Sequence, residues 1–137
     1  MNKLLVCLIG ILSISLPAYA ALEAGAAAPA FEAKASLDGK AFDFSLADAL
    51  KKGTVVVYFY PSAYTNGCNI QAHEFSVNMD AFEAAGASVI EIGHGFAERK
   101  TFIVTPDGKI AETVGGVSPM ENVRLSLAAV EKLAAKN

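Results

Sequence analysis

Residues 54 to 68 read Thr-Val-Val-Val-Tyr-Phe-Tyr-Pro-Ser-Ala-Tyr-Thr-Asn-Gly-Cys. The first seven, Thr54 to Tyr60, are an uncharged run of β-branched and aromatic side chains, the pattern of a central strand buried on both faces. Pro61 stops it, and a loop runs to the Asn66-Gly67 pair. From Cys68 to Ala85 the apolar positions Ile70, Phe75, Met79, Phe82 and Ala85 recur at helical spacing, with Gly86 as terminator. The stretch predicts strand, loop and helix, with a cysteine at the join.

Toward the N-terminus, the Ala- and Gly-rich segment Ala21 to Ala30 reads as an irregular lead-in. Phe31 to Ala35 and Ala41 to Phe44 alternate around the turn Leu37-Asp38-Gly39-Lys40, which predicts a hairpin. Ser45 opens a short helix, Leu46 to Lys51, closed by Gly53. Toward the C-terminus, Ala87 to Ile92 is the next strand and Gly93 to Arg99 a linker. Thr101 to Val104 and Lys109 to Val114 flank Pro106-Asp107-Gly108 as a second hairpin. Ser118-Pro119-Met120-Glu121 starts a last helix with N-cap, proline and acid in order, and Val123, Leu127, Val130 and Leu133 form its apolar stripe. Strand-helix-strand followed by hairpin-helix is the order of a thioredoxin-like α/β sandwich, a central mixed sheet with flanking helices. No internal repeat or linker divides it, so residues 21–137 are expected to form one domain.

Residues 1–20 read differently. Lys3 precedes an apolar run from Leu4 to Leu16, then Pro17 and the small-x-small triplet Ala18-Tyr19-Ala20. That is the pattern of a secretory signal cleaved after Ala20, and the thirteen-residue run falls short of the roughly twenty needed to span a bilayer. The expected location is periplasmic or secreted, with no membrane attachment after cleavage. Beyond residue 20 the chain carries ten Lys and Arg against fourteen Asp and Glu, a net charge of −4. The basic residues stand singly or in pairs such as Lys51-Lys52 and Arg99-Lys100, which excludes a nucleic-acid partner.

Cys7 leaves with the signal, so Cys68 is the single cysteine of the mature chain. It can form neither an internal disulfide nor a thiolate cluster for zinc, and no metal or cofactor is implied. Gly115-Gly116 is a turn rather than a phosphate loop. An unpaired thiol in an oxidising compartment is either a small buried core residue or one kept for its reactivity. Three features favour reactivity at Cys68: the helix N-terminus, the carboxyl end of a central strand, and the Thr65 hydroxyl three residues earlier.

Pro61-x-x-x-Thr65-x-x-Cys68, directly after Val57-Tyr58-Phe59-Tyr60, resembles the peroxiredoxin signature of the AhpC/TSA superfamily. The wider stretch is most similar to the bacterioferritin-comigratory or Q-type branch. The similarity extends to Gly25, Pro29, Phe31 and Asp38-Gly39-Lys40, and to Arg99-x-Thr101-Phe102-Ile103-Val104 followed by Pro106-Asp107-Gly108-Lys109-Ile110. The resemblance implies that Cys68 is the peroxidatic nucleophile, that Thr65 hydrogen-bonds the peroxide, that Pro61 shields the sulfur from water, and that Arg99 stabilises the thiolate and the polarised peroxide oxygens. A fixed guanidinium and oriented N–H groups suit a reaction that moves charge from sulfur to a leaving oxygen. Without the resemblance, Thr65 is an N-cap and Arg99 a solvated charge at a strand edge.

Two departures alter the expectation. The position five residues after Cys68, often a resolving cysteine in that branch, is His73, expected on an exposed helix face. A one-cysteine mechanism follows, with a thioredoxin-like protein or a low-molecular-weight thiol as reductant. The branch also has several tens of residues, including a strand and a crossover helix, where this chain has only Glu91 to Glu98. Loss of that segment near residue 90 is expected to uncover apolar residues of strands 54 to 60 and 87 to 92, and His94 falls in the shortened link. The sequence therefore predicts an exported thiol peroxidase acting on hydrogen peroxide or organic hydroperoxides, a monomer or weak homo-oligomer. The alternative is a thioredoxin-like interaction domain whose catalysis the deletion has impaired. A disulfide oxidoreductase lacks its Cys-x-x-Cys pair, and a cysteine hydrolase lacks a base and orienting acid.

Overall fold

The computed structural model describes residues 22–93 and 98–136. The signal reading of residues 1–20, with Cys7, and the loop residues His94 and Phe96 lie outside the described residues.

The run that opened the reading is β3 (Thr54–Phe59), whose four central residues are buried. It pairs in parallel with β4 (Ala87–Ile92) and antiparallel with β5 (Lys100–Val104), which pairs antiparallel with β6 (Ile110–Gly115), so the sheet order is β4-β3-β5-β6. The sequence expectation of a central mixed sheet with flanking helices is met. Between β3 and β4 run α2 (Asn66–Val77) and α3 (Met79–Ala84), and α4 (Pro119–Ala134) closes the chain. A separate hairpin, β1 (Glu32–Leu37) and β2 (Lys40–Ser45), leads into α1 (Leu46–Leu50). Its two-residue turn has positive φ at both Asp38 (49°) and Gly39 (75°), the geometry whose twist matches the flanking strands.

The two-residue period of β3 divides the core. Val56 and Tyr58 face α2, α3 and α4, where Phe75, Phe82, Ile103, Val123 and Val130 are buried with them. Tyr58 stacks on Phe75 at 4.3 Å between ring centroids and Phe75 meets Phe82 at 5.6 Å, which fixes α2 against the strand just below Cys68. Val55 and Val57 face the other way, into a cluster with Leu46, Leu50, Phe102, Val104 and Ile110.

Two expectations need correction. The single helix 68 to 85 is broken at Asn78, which leaves helical geometry (φ −100°, ψ 6°) and turns its side-chain amide back to the Glu74 carbonyl at 2.8 Å. That local bond competes with the helical ladder. The expected bare sheet face is covered in part: β3 is buried on both sides, while Val89, Ile90 and Ile92 of β4 are only half-buried. Leu22, Ala28, Phe31 and Phe44 pack there with α1. The lead-in reaches that place by backbone bonds to the second hairpin, Gly25 N–H to Ile110 O at 2.8 Å, Ile110 N–H to Ala26 O at 2.9 Å and Ala28 N–H to Gly108 O at 2.9 Å.

Candidate active site

Cys68 stands in the first turn of α2 and is 7% exposed. Thr65 precedes the helix in extended conformation, and its carbonyl accepts the bond of the Asn69 N–H at 2.9 Å. The N–H groups before Asn69 thus face the sulfur's end of the helix without helical carbonyl partners, and the dipole there favours an anion. The Thr65 hydroxyl does not cap the helix but donates to the Ser62 carbonyl at 3.0 Å. The loop between turns sharply at Tyr64, a non-glycine residue at φ 60° whose ring is 95% exposed.

Arg99 arrives from the neighbouring strand. Phe59 pairs with Lys100, so the residue before Lys100 lies beside the end of β3 and the start of the loop. Its Nη2 donates to Cys68 Sγ at 3.7 Å and its Nη1 to Gln71 Oε1. Cys68, Gln71 and Phe75 share the buried face of α2, one helical turn apart, so one guanidinium reaches both Cys68 and Gln71. Gly67 leaves the room: a Cβ there would lie 3.3 Å from Arg99 Nη2 and 3.4 Å from Pro119 Cγ.

Behind Gln71 the bonds continue into the core. Gln71 Nε2 donates to Asn122 Oδ1 at 2.9 Å, the same oxygen accepts from Thr101 Oγ1 at 2.6 Å, and Asn122 Nδ2 donates to the Val114 carbonyl at 3.2 Å. Gln71, Thr101 and Asn122 are wholly buried, and no buried side-chain polar atom among the described residues lacks a partner. A satisfied buried network of this kind holds its members in one geometry.

The electrostatics follow from these contacts. Burial pushes the Cys68 thiol up, yet the thiol sits below its ordinary value because bonding to the Thr65 hydroxyl, the Ser62 backbone and the Arg99 guanidinium outweighs it. The Thr65 hydroxyl carries one proton, so in bonding a Cys68 thiolate it would give up the Ser62 carbonyl. A cavity of about 220 Å³ opens over the thiol, with Tyr60, Tyr64, Asn69 and Glu91 in its wall. The Glu91 carboxylate accepts from the Tyr58 hydroxyl. Burial first, and then Glu91, push the phenols of both Tyr58 and Tyr60 above their ordinary range. A larger cavity of about 650 Å³ lies between β2, α1 and β4, away from the thiol.

Of the four residues singled out from sequence, Cys68, Thr65 and Arg99 converge. Pro61 is exposed at the end of β3 and is not part of the wall of the cavity over Cys68. His73 is exposed and outside the site. Sequence reasoning gave no role to Gln71, Asn122 or Glu91; the i, i+3 spacing of Cys68 and Gln71 was the one available signal. Among the described residues no group of three or more His, Cys, Asp or Glu could hold a metal ion, and no helix is long and apolar enough to cross a membrane.

Comparison with known proteins agrees with this geometry. The chain is 45% identical over 71 residues to a peroxiredoxin bcp of Helicobacter pylori, covering 52% of this chain and 44% of the relative. It is 43% identical over 79 residues to the chloroplastic peroxiredoxin Q of Oryza sativa subsp. japonica, 57% of this chain and 35% of the relative. The chain thus spans less than half the length of the curated relatives it matches. Among solved structures, peroxidoxin BcpB from Mycobacterium tuberculosis superposes with a TM-score of 0.71 at 20% identity, covering 82% of this chain and 99% of that one. Peroxiredoxin Q from Xanthomonas campestris gives 0.67 at 22% identity over 82% and 99%. Both share the thioredoxin-like fold of the chain. The sequence profile of the AhpC/TSA family matches residues 24–94, which include Thr65 and Cys68, and the chain belongs to that family.

Proposed function

We propose that the chain is a thiol peroxidase with Cys68 as its nucleophile. The Cys68 thiolate attacks one oxygen of a hydroperoxide, the O–O bond breaks, and the sulfur becomes a sulfenic acid. The second oxygen leaves with the electron pair and takes a proton to give water or an alcohol. The observation that carries the reading is Arg99 Nη2 at 3.7 Å from Cys68 Sγ, on a thiol held below its ordinary pKa. It favours an intact site over the impaired interaction domain, because the guanidinium is both near the sulfur and anchored through Gln71. Thr65 would turn its hydroxyl to the sulfur or to the incoming oxygen.

Cys68 is the one cysteine among the described residues, so an external thiol resolves the sulfenic acid. Its attack expels water and leaves a mixed disulfide, and a second thiol restores Cys68. A thioredoxin-like protein or a small thiol fits, and hydrogen peroxide or an organic hydroperoxide is the substrate. The position of β4 at one side of the sheet, paired with β3 alone, supports the reading that a crossover segment is missing between β4 and β5. Residues 1–20 support export to the periplasm or beyond, with cleavage after Ala20.

The test uses the chain from Ala21, one equivalent of hydrogen peroxide and a sulfenic-acid trap, followed by intact mass from milliseconds to seconds. Fast trapping at Cys68, slowed on the order of a hundredfold by Arg99→Ala, is expected. Oxidation no faster than that of free cysteine, or turnover retained in Cys68→Ser, overturns the reading.

A further inference from the structure

We infer that Glu91 makes the site selective for charge, favouring neutral hydroperoxides over anionic ones. The inference rests on the thiol peroxidase reading above and names the substrate class of that same site.

Glu91 lies on β4 and its side chain forms part of the wall of the cavity over Cys68. It is held in place from the core: the hydroxyl of Tyr58, a residue 4% exposed, donates to its Oε2. Tyr60 lines the same wall, and its phenol is raised by burial and then by this same carboxylate. Truncating Tyr58 would remove the carboxylate's buried donor, and truncating Glu91 would leave a buried phenol without its acceptor. Glu91 is solvent-exposed, yet its bond to a buried phenol fixes the carboxylate in the wall.

The charges around it do not cancel it. Apart from Cys68 itself, the remaining wall residues are Tyr60, Ala63, Tyr64, Asn69 and Ala72, none of them a basic side chain. Arg99 reaches the sulfur from the Gln71 side, and its positive charge is matched by the thiolate it stabilises. Glu91 also borders the next cleft, of about 520 Å³, whose lysine, Lys34, is paired with Asp43. Once Cys68 is ionised, the charge at the mouth that no described residue is seen to offset is that of Glu91. A neutral peroxide meets it as a hydrogen-bond acceptor, whereas an anion is repelled at the distance of reaction.

The experiment compares tert-butyl hydroperoxide with 2-hydroperoxy-2-methylpropanoate, in which a carboxylate replaces one methyl group. The second-order rate of Cys68 oxidation is measured for each, in wild type and Glu91→Gln, at low and high ionic strength. The expected result is a wild-type preference for the neutral peroxide that Glu91→Gln reduces by about three- to tenfold. Salt should reduce the wild-type preference likewise and leave the variant's almost unchanged. Rapid oxidation of wild type by both peroxides, with a preference that neither salt nor Glu91→Gln moves, overturns the selectivity while leaving the peroxidase reading intact. Slow oxidation by both, at the rate of free cysteine, overturns the peroxidase reading and this inference with it. A preference that salt moves but Glu91→Gln leaves unchanged belongs to other acidic groups and overturns the role of Glu91. Where Glu91→Gln folds poorly, Glu91→Met, similar in length and uncharged, replaces it in the same comparison.

Discussion

The Gln71 side-chain amide donates to Asn122 Oδ1 at 2.9 Å, joining the helix that carries Cys68 to the last helix of the chain. Through Gln71 the bond orients Arg99, and through Arg99 the sulfur. Replacing Asn122 by Ala would strip partners from the Gln71 amide, the Thr101 hydroxyl and the Val114 carbonyl. A loss of about 2–4 kcal/mol in urea unfolding is expected for buried groups left unpaired. The pH profile of Cys68 alkylation should also move upward. A purely structural asparagine would change the first and not the second.

The depressed thiol pKa links stability to pH. The folded state favours the thiolate, so the contribution of Cys68 is fully present above the thiol's unfolded value and is lost as pH falls through its folded value. Between those two points stability rises with pH. The difference in urea midpoint between wild type and Cys68→Ser, followed from about pH 5 to about pH 10, should widen toward the alkaline end. A difference independent of pH would mean the thiol is not ionised preferentially in the fold.

Thr65 offers a cleaner dissection of the thiolate. Thr65→Val keeps the branched shape and removes the hydroxyl that bonds the sulfur. The thiol pKa should rise and peroxide oxidation should slow by roughly one to two orders of magnitude, the scale for deleting one donor to developing charge. Thr65→Ser, which keeps the hydroxyl, should stay within a few fold of wild type. Stopped-flow oxidation of the three proteins checks this.

Phe75 carries the packing beneath the site. Its ring stacks on Tyr58 and touches Phe82, and the residue is 2% exposed. Phe75→Ala should cost about 3–5 kcal/mol in chemical unfolding. A cost under about 1 kcal/mol would mean that the core closes over the cavity more easily than a close-packed interior allows.

The parts of this structure that were legible in sequence are those written locally. Thr54 to Tyr60 announced a buried strand because every residue agreed, and Ser118-Pro119-Met120-Glu121 announced a helix start that the structure realises, with Ser118 Oγ accepting from the Glu121 N–H at 3.3 Å. Cys68, Thr65 and Arg99 were found because helix position and a family pattern pointed to them. Asn122 was not, because its partner lies 51 residues away and a polar residue in an amphipathic helix reads as its solvated side. Glu91 was missed for a similar reason: on a strand it looks like an outward charge until the burial of Tyr58 gives it a partner. The expected open sheet face failed on the lead-in, whose Ala-rich composition gave no sign that its backbone would bond to Gly108 and Ile110. Asn78 broke a helix that apolar spacing alone would have continued.

The bond from Asn122 has a consequence in time. Ribosomal synthesis delivers Cys68, Thr65 and Arg99 well before α4, yet the arginine's anchor is completed only when residue 122 is in place. Before α4 docks, Arg99 lacks the Gln71–Asn122 anchor, and on the proposed reading the thiol would then be slower toward oxidants. On the proposed reading, reactivity would require α4 to be docked as well as the motif to be present, and a variant lacking α4 would keep the motif without the anchor.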